Sequence, residues 1–95
     1  MEKNAKVVII GGGVVGCSIL YHLSKFGLKD CILLERNELT SGSSWHAAGN
    51  VHVISSDPNI SRMMAYTIGL YKEIEKESGH STGFKPSGGF YLASN

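Results

Sequence analysis

A strand-like run, "KVVII", is interrupted at residues 11–16 by "GGGVVG", and a helical pattern follows at once in "VVGCSILYHLSKF". No other stretch limits the possible folds as strongly, because Gly11, Gly13 and Gly16 take the spacing G-x-G-x-x-G. Residues 6–10 show no polar alternation, as expected of a strand buried on both faces. Val15, Ile19, Leu20, Leu23 and Phe26 lie at helical offsets over 14–26, with Lys25 in the last turn and Gly27 as a stop. "DCILLE" at 30–35 reads as a second buried strand. A β-α-β unit of roughly thirty residues specifies a parallel pair joined by a right-handed crossover.

Each glycine of the turn has its own physical reason. Gly11 permits the tight exit from the strand, Gly13 lets a pyrophosphate approach the backbone, and Gly16 lets the helix pack closely on the sheet. The helix start offers unpaired N–H groups and about half a positive charge to phosphates. Glu35 ends the second strand nineteen residues past Gly16, where a carboxylate accepts both hydroxyls of an adenosine ribose. A 2′-phosphate would meet that carboxylate as a like charge, which disfavours NADP. The expected fold class is therefore α/β, the first βαβ part of a Rossmann-like dinucleotide-binding domain.

NAD and FAD share this fingerprint, and the next segment separates them. A simple NAD domain feeds its second strand into a short loop and another crossover helix. Here residues 36–56 are rich in Ser, Gly and Asn and have no clear period. The loop "SGSSWHAAGN" sets His46 and Trp45 among small residues. From Glu35 to His46 an extended chain reaches up to ~36 Å, enough to carry the imidazole past the phosphates to a ring at the far end. Ser41, Ser43 and Ser44 supply hydroxyls for phosphates or a ribityl chain, while Ala47, Ala48 and Gly49 leave room for approach.

The candidate cofactor-binding residues are thus Gly11, Gly13, Val14, Val15 and Gly16 in the turn, and Glu35 and Arg36 after the second strand. The loop adds Ser41, Gly42, Ser43, Ser44, Trp45, His46, Ala48 and Gly49. A second helix starts at "DPN", with Asp57 as N-cap and Pro58 at the first helical position. It carries Ile60, Met63, Met64, Leu70, Tyr71 and Ile74 on one stripe and ends at Gly79. A turn-rich stretch then leads to a strand over 90–94.

Ninety-five residues are enough for one small domain, at the low end of the usual range, and 42% hydrophobic content with a formal charge of +1 argues against a disordered chain. Near-neutral charge gives no footprint for nucleic acid or an anionic membrane. Four glycines break the apolar run near the start, so it is expected to be core rather than a signal peptide or a membrane span. Cys17 and Cys31 lack any CxxC spacing and read as free thiols of a reducing compartment. His22, His52 and His80 show no metal-ligand spacing. The expected location is the cytoplasm, or the mitochondrial matrix in a eukaryotic source, with no transit peptide visible.

"VVIIGGGVVGCSILYHLSKFG", "LLERNELTSGSSWHAAGN" and "SGGFYLAS" resemble the amino-terminal segment of the dimethylglycine dehydrogenase and sarcosine dehydrogenase family, within the glycine oxidase and D-amino-acid oxidase group of flavoproteins. The likeness runs from about Lys6 to Ser94; Ser44 stands where the family often has Thr. It implies FAD as cofactor, covalently attached at His46, and hydride transfer to the flavin from the N-methyl carbon of a small amino acid. It further implies an electron-transfer flavoprotein or oxygen as acceptor and tetrahydrofolate as a one-carbon trap. Family members are several times longer, so residues 1–79 are expected to be the first part of an FAD-binding domain. Residues 80–95 are expected to begin a substrate-domain sheet, with the rest and the amine-binding residues lying outside the chain. An NAD-dependent dehydrogenase and a regulatory subunit like that of pyruvate dehydrogenase phosphatase are the competing readings.

Overall fold

The computed structural model describes residues 4–90 and residue 92. They fall into two units, the first ending at Ala48 and the second starting at Gly49. In the first unit, strand β1 (Val7–Ile10) leads into helix α1 (Val14–Lys25) and then strand β2 (Cys31–Leu34). A single 3-10 turn, Ser43–His46, follows. In the second unit, helix α2 spans Pro58–Ser78.

β1 and β2 pair in parallel, with Val7 opposite Cys31 and Ile10 opposite Leu34. The β-branched run of β1 supplies the pleated surface, and α1 packs across it. Gly16 lies against the Ile9 side chain, and Ile9 is the one buried large apolar residue among those described. The α/β class and the parallel βαβ order agree with the sequence reading.

Within the described residues one face of the strand pair is covered. Val8 is 51% exposed and Ile10 86%, because α1 covers only the Ile9 face and no other described element of this unit covers the opposite one. The expected helix stripe is likewise covered only in part. Leu20 and Leu23 are half-buried over the two strands, whereas Val15, Ile19 and Phe26 are exposed. Two strands are too narrow a platform to cover a stripe of that width.

α2 begins and ends as its sequence dictates. The Asp57 carboxylate accepts the Asn59 N–H at 2.7 Å and the Ile60 N–H at 3.3 Å, which supplies the partners a helix start lacks. Gly79 closes the helix in the left-handed conformation, φ 72°. The turn-rich stretch folds back on the helix. Phe84 stacks on Tyr71 with centroids 5.8 Å apart, a contact worth about 0.5–1.5 kcal/mol beyond burial, and Thr82 donates to Glu75. Met63, Met64 and Tyr71 line a shallow apolar groove with Val51 and His52. The strand expected over 90–94 lies largely outside the described residues. No helix among the described residues is long and apolar enough to cross a membrane.

Candidate functional site

The glycine turn between β1 and α1 is the densest set of constrained positions in the first unit. Gly11 has φ 108° and donates its N–H to the Leu34 carbonyl at 2.8 Å, a conformation side chains with a Cβ rarely adopt. A Cβ on Gly16 would lie 1.9 Å from the Gly11 carbonyl oxygen, so the helix approaches the strand exit only without a side chain. Gly13 is the N-cap of α1 and offers no side-chain cap. A Cβ there would face the Ser44 hydroxyl at 3.1 Å. The first turn of α1 holds no acidic residue, and Val14 and Val15 stand exposed beside it.

Glu35 closes the site from β2. Its Oε1 accepts the Gly12 N–H at 3.0 Å and its Oε2 the Asn37 N–H at 2.8 Å. The Asn37 N–H, and after it the Gly12 N–H, hold the carboxyl below its ordinary value by stabilising the charged form. Each carboxylate oxygen keeps a further lone pair for a hydroxyl donor.

The loop after β2 does not run out extended. Thr40 donates its N–H to the Gly12 carbonyl at 2.8 Å, and the chain doubles back over the turn. Ser44 Oγ then accepts the Val14 N–H at 2.8 Å across thirty positions. That hydroxyl caps α1 from a distance and keeps its own proton to donate. The expected reach of an extended loop is therefore replaced by a folded one, with His46 two residues beyond the helix cap.

Trp45 and His46 share the 3-10 turn. Trp45 Nε1 donates to the Ser41 carbonyl at 3.0 Å. His46 Nδ1 lies 2.9 Å from the Gly42 carbonyl. A carbonyl only accepts, so Nδ1 carries the proton and Nε2 keeps a lone pair. The two rings sit 3.9 Å apart at 41°, and both residues are exposed.

The structure thus brings together Gly11, Gly13, Val14, Gly16, Glu35 and Ser44, with Trp45 and His46 on the adjoining turn. Arg36, Ser41, Ser43 and Ala48 are exposed, Arg36 adding its charge beside the Glu35 carboxylate, and Gly49 opens the second unit. Two contributors carry no signal in the spacing. Gly12 is buried, and a Cβ there would meet Leu39 at 2.6 Å and Glu35 at 3.1 Å. Thr40 is the one non-glycine residue with positive φ among those described, at 63°. For a β-branched residue this costs about 1–2 kcal/mol. Elsewhere, His22 Nδ1 bonds the Ser18 carbonyl one turn back at 2.7 Å, and among the described residues no group of three metal-ligating side chains assembles.

A helix start free of acidic residues and capped by a hydroxyl, a glycine turn closed to side chains and a carboxylate with spare lone pairs fit a dinucleotide such as FAD. Comparison with known proteins agrees. The chain is 47% identical to human mitochondrial dimethylglycine dehydrogenase over 92 residues, covering 97% of this chain and 11% of that protein. It is 42% identical to human mitochondrial sarcosine dehydrogenase over 96 residues, covering 100% of this chain and 10% of that protein. It is 40% identical to the mouse mitochondrial pyruvate dehydrogenase phosphatase regulatory subunit over 93 residues, covering 98% and 11%. The chain spans about a tenth of the length of these relatives. The profile of the family described as FAD dependent oxidoreductase matches residues 6–95, and the chain belongs to that family.

Proposed function

We propose that this chain is the cofactor-binding start of an enzyme that oxidises the N-methyl group of a small amino acid such as dimethylglycine or sarcosine. The observation that carries the proposal is the ordered Trp45–His46 turn on the start of α1. There the Gly42 carbonyl fixes the Nδ1 proton of His46 and leaves Nε2 as a nucleophilic nitrogen.

In this reading the N-terminus of α1 and the open backbone at Gly13 take the pyrophosphate, and the Ser44 hydroxyl donates to it. Glu35 accepts the adenosine ribose hydroxyls on its spare lone pairs. His46 Nε2 is the atom of covalent attachment, and Trp45 walls the ring beside it. FAD, when bound, supplies the acceptor for the hydride leaving the N-methyl carbon. The substrate class is supported by the two dehydrogenase relatives. An electron-transfer flavoprotein or oxygen as final acceptor, tetrahydrofolate as one-carbon trap, a cytoplasmic or matrix location and the division at residue 79 belong to the same proposal.

The regulatory-subunit relative supports a second, non-catalytic reading. Anaerobic addition of dimethylglycine or sarcosine to the full-length flavoprotein separates the two. Bleaching of the flavin is expected, with formaldehyde and the demethylated amine released as water hydrolyses the imine product; flavin that stays oxidised with every N-methylated amino acid tried supports the regulatory reading.

A further inference from the structure

The left-handed backbone at Thr40 lies outside every residue assigned above to the cofactor, yet the loop depends on it. We infer that Thr40 is a positioning residue, whose backbone kink clasps the histidine-bearing loop onto the glycine turn. The inference rests on the reading of that turn as the FAD site.

Thr40 lies between Glu35 and Ser44, the two residues that bond the glycine turn from opposite ends of the loop. A residue at φ 63° reverses the chain locally, and here it aims the Thr40 N–H at the Gly12 carbonyl, 2.8 Å away. Gly12 is thereby held on both sides, its N–H by Glu35 and its carbonyl by Thr40. The preceding Leu39 seals the junction, since its Cδ2 fills the space a Gly12 side chain would need. The Thr40 hydroxyl donates to the Leu39 carbonyl at 2.6 Å and so helps hold the kink. A strained conformer persists only where its surroundings over-determine it. From this clasp the chain has four residues to Ser44 on the helix cap and six to His46, so the kink sets where the imidazole falls.

The test uses the full-length polypeptide carrying His46→Ala, in which FAD binding stays reversible, as the parent of every variant, with two readouts: hydrogen–deuterium exchange of the peptide covering Gly11–Val15 without flavin, and the FAD dissociation constant. Thr40→Pro removes the N–H and forbids positive φ; it should speed exchange and weaken FAD by about tenfold or more. Thr40→Gly keeps the N–H and adopts positive φ freely, so exchange and affinity should match the parent. Should Thr40→Pro fail to fold, Thr40→Val replaces it: the N–H stays but the hydroxyl bond to Leu39 is lost, and both readouts should move as for Pro. Parental exchange and affinity in the folded Pro or Val variant overturns the inference. So does a Gly variant that loses as much affinity as Pro, which would assign the role to the threonine side chain. Exchange reads the clasp without any flavin, so its failure is distinct from a parent protein that binds no FAD.

Discussion

Gly16→Ala adds one methyl group to the closest approach in the first unit. The new Cβ would lie 1.9 Å from the Gly11 carbonyl oxygen, against a floor near 3.0 Å for real Cβ atoms. Helix or strand exit must therefore shift by roughly 1 Å, and no rotamer relieves the overlap, because both atoms belong to the backbone or are fixed to it. Any such shift pulls the start of α1 from Ser44 and the strand exit from the Leu34 carbonyl. Overpacking of this kind costs about 1–3 kcal/mol, and the backbone setting puts this case at the upper end. Carried into binding, about 3 kcal/mol weakens FAD roughly 150-fold. Flavin fluorescence titration of the full-length apoprotein in a His46→Ala background, where binding stays reversible, measures it. Gly69→Ala is the matched control, since a Cβ there meets nothing within 4 Å on α2 and replaces a poor helix former. Gly16→Ala binding FAD within a few-fold of the His46→Ala parent would refute the close-packing argument.

Glu35 is held below its ordinary value of 4.5 by the Asn37 and Gly12 N–H groups. Its contribution to the turn is complete above that value and is lost as pH falls through the lower folded value. In the same His46→Ala background, FAD affinity should decline in acid below the ordinary carboxylate range, and Glu35→Gln should both weaken binding and remove that part of the pH profile; an unchanged profile in the variant assigns the decline to another group. The isolated 95-residue chain should show no cooperative thermal transition without ligand. Ile9 is the one buried large apolar residue described, worth about 1.5–3 kcal/mol, while ordering each residue costs about 1–2 kcal/mol. A sharp calorimetric peak contradicts this.

What the sequence made legible was what local geometry imposes on residue type. The β1–α1 exit needs glycines at 11 and 16, and the ends of α2 need an oxygen acceptor at Asp57 and a left-handed residue at Gly79. Those demands leave a mark at fixed spacing. Gly12 holds a free position of the spacing, and its need for a bare backbone comes from Leu39, far along the chain. Thr40 was invisible for the opposite reason: threonine ordinarily avoids positive φ, so nothing in its identity announces the kink. Without that kink the loop read as extended. The strands read as buried on both faces because β-branched runs carry no label for which face finds a cover, and Val8 and Ile10 lack one here.

His46 as the attachment point of the flavin is tested most directly by acid precipitation. Full-length holoprotein and its His46→Ala variant are precipitated, and flavin absorbance is measured in pellet and supernatant. Wild type should keep its flavin in the pellet, while His46→Ala, still able to bind through the glycine turn, Glu35 and Ser44, should release all of it to the supernatant. Flavin retained in the His46→Ala pellet, or released in full by wild type, contradicts the assignment of Nε2 as the bonding atom.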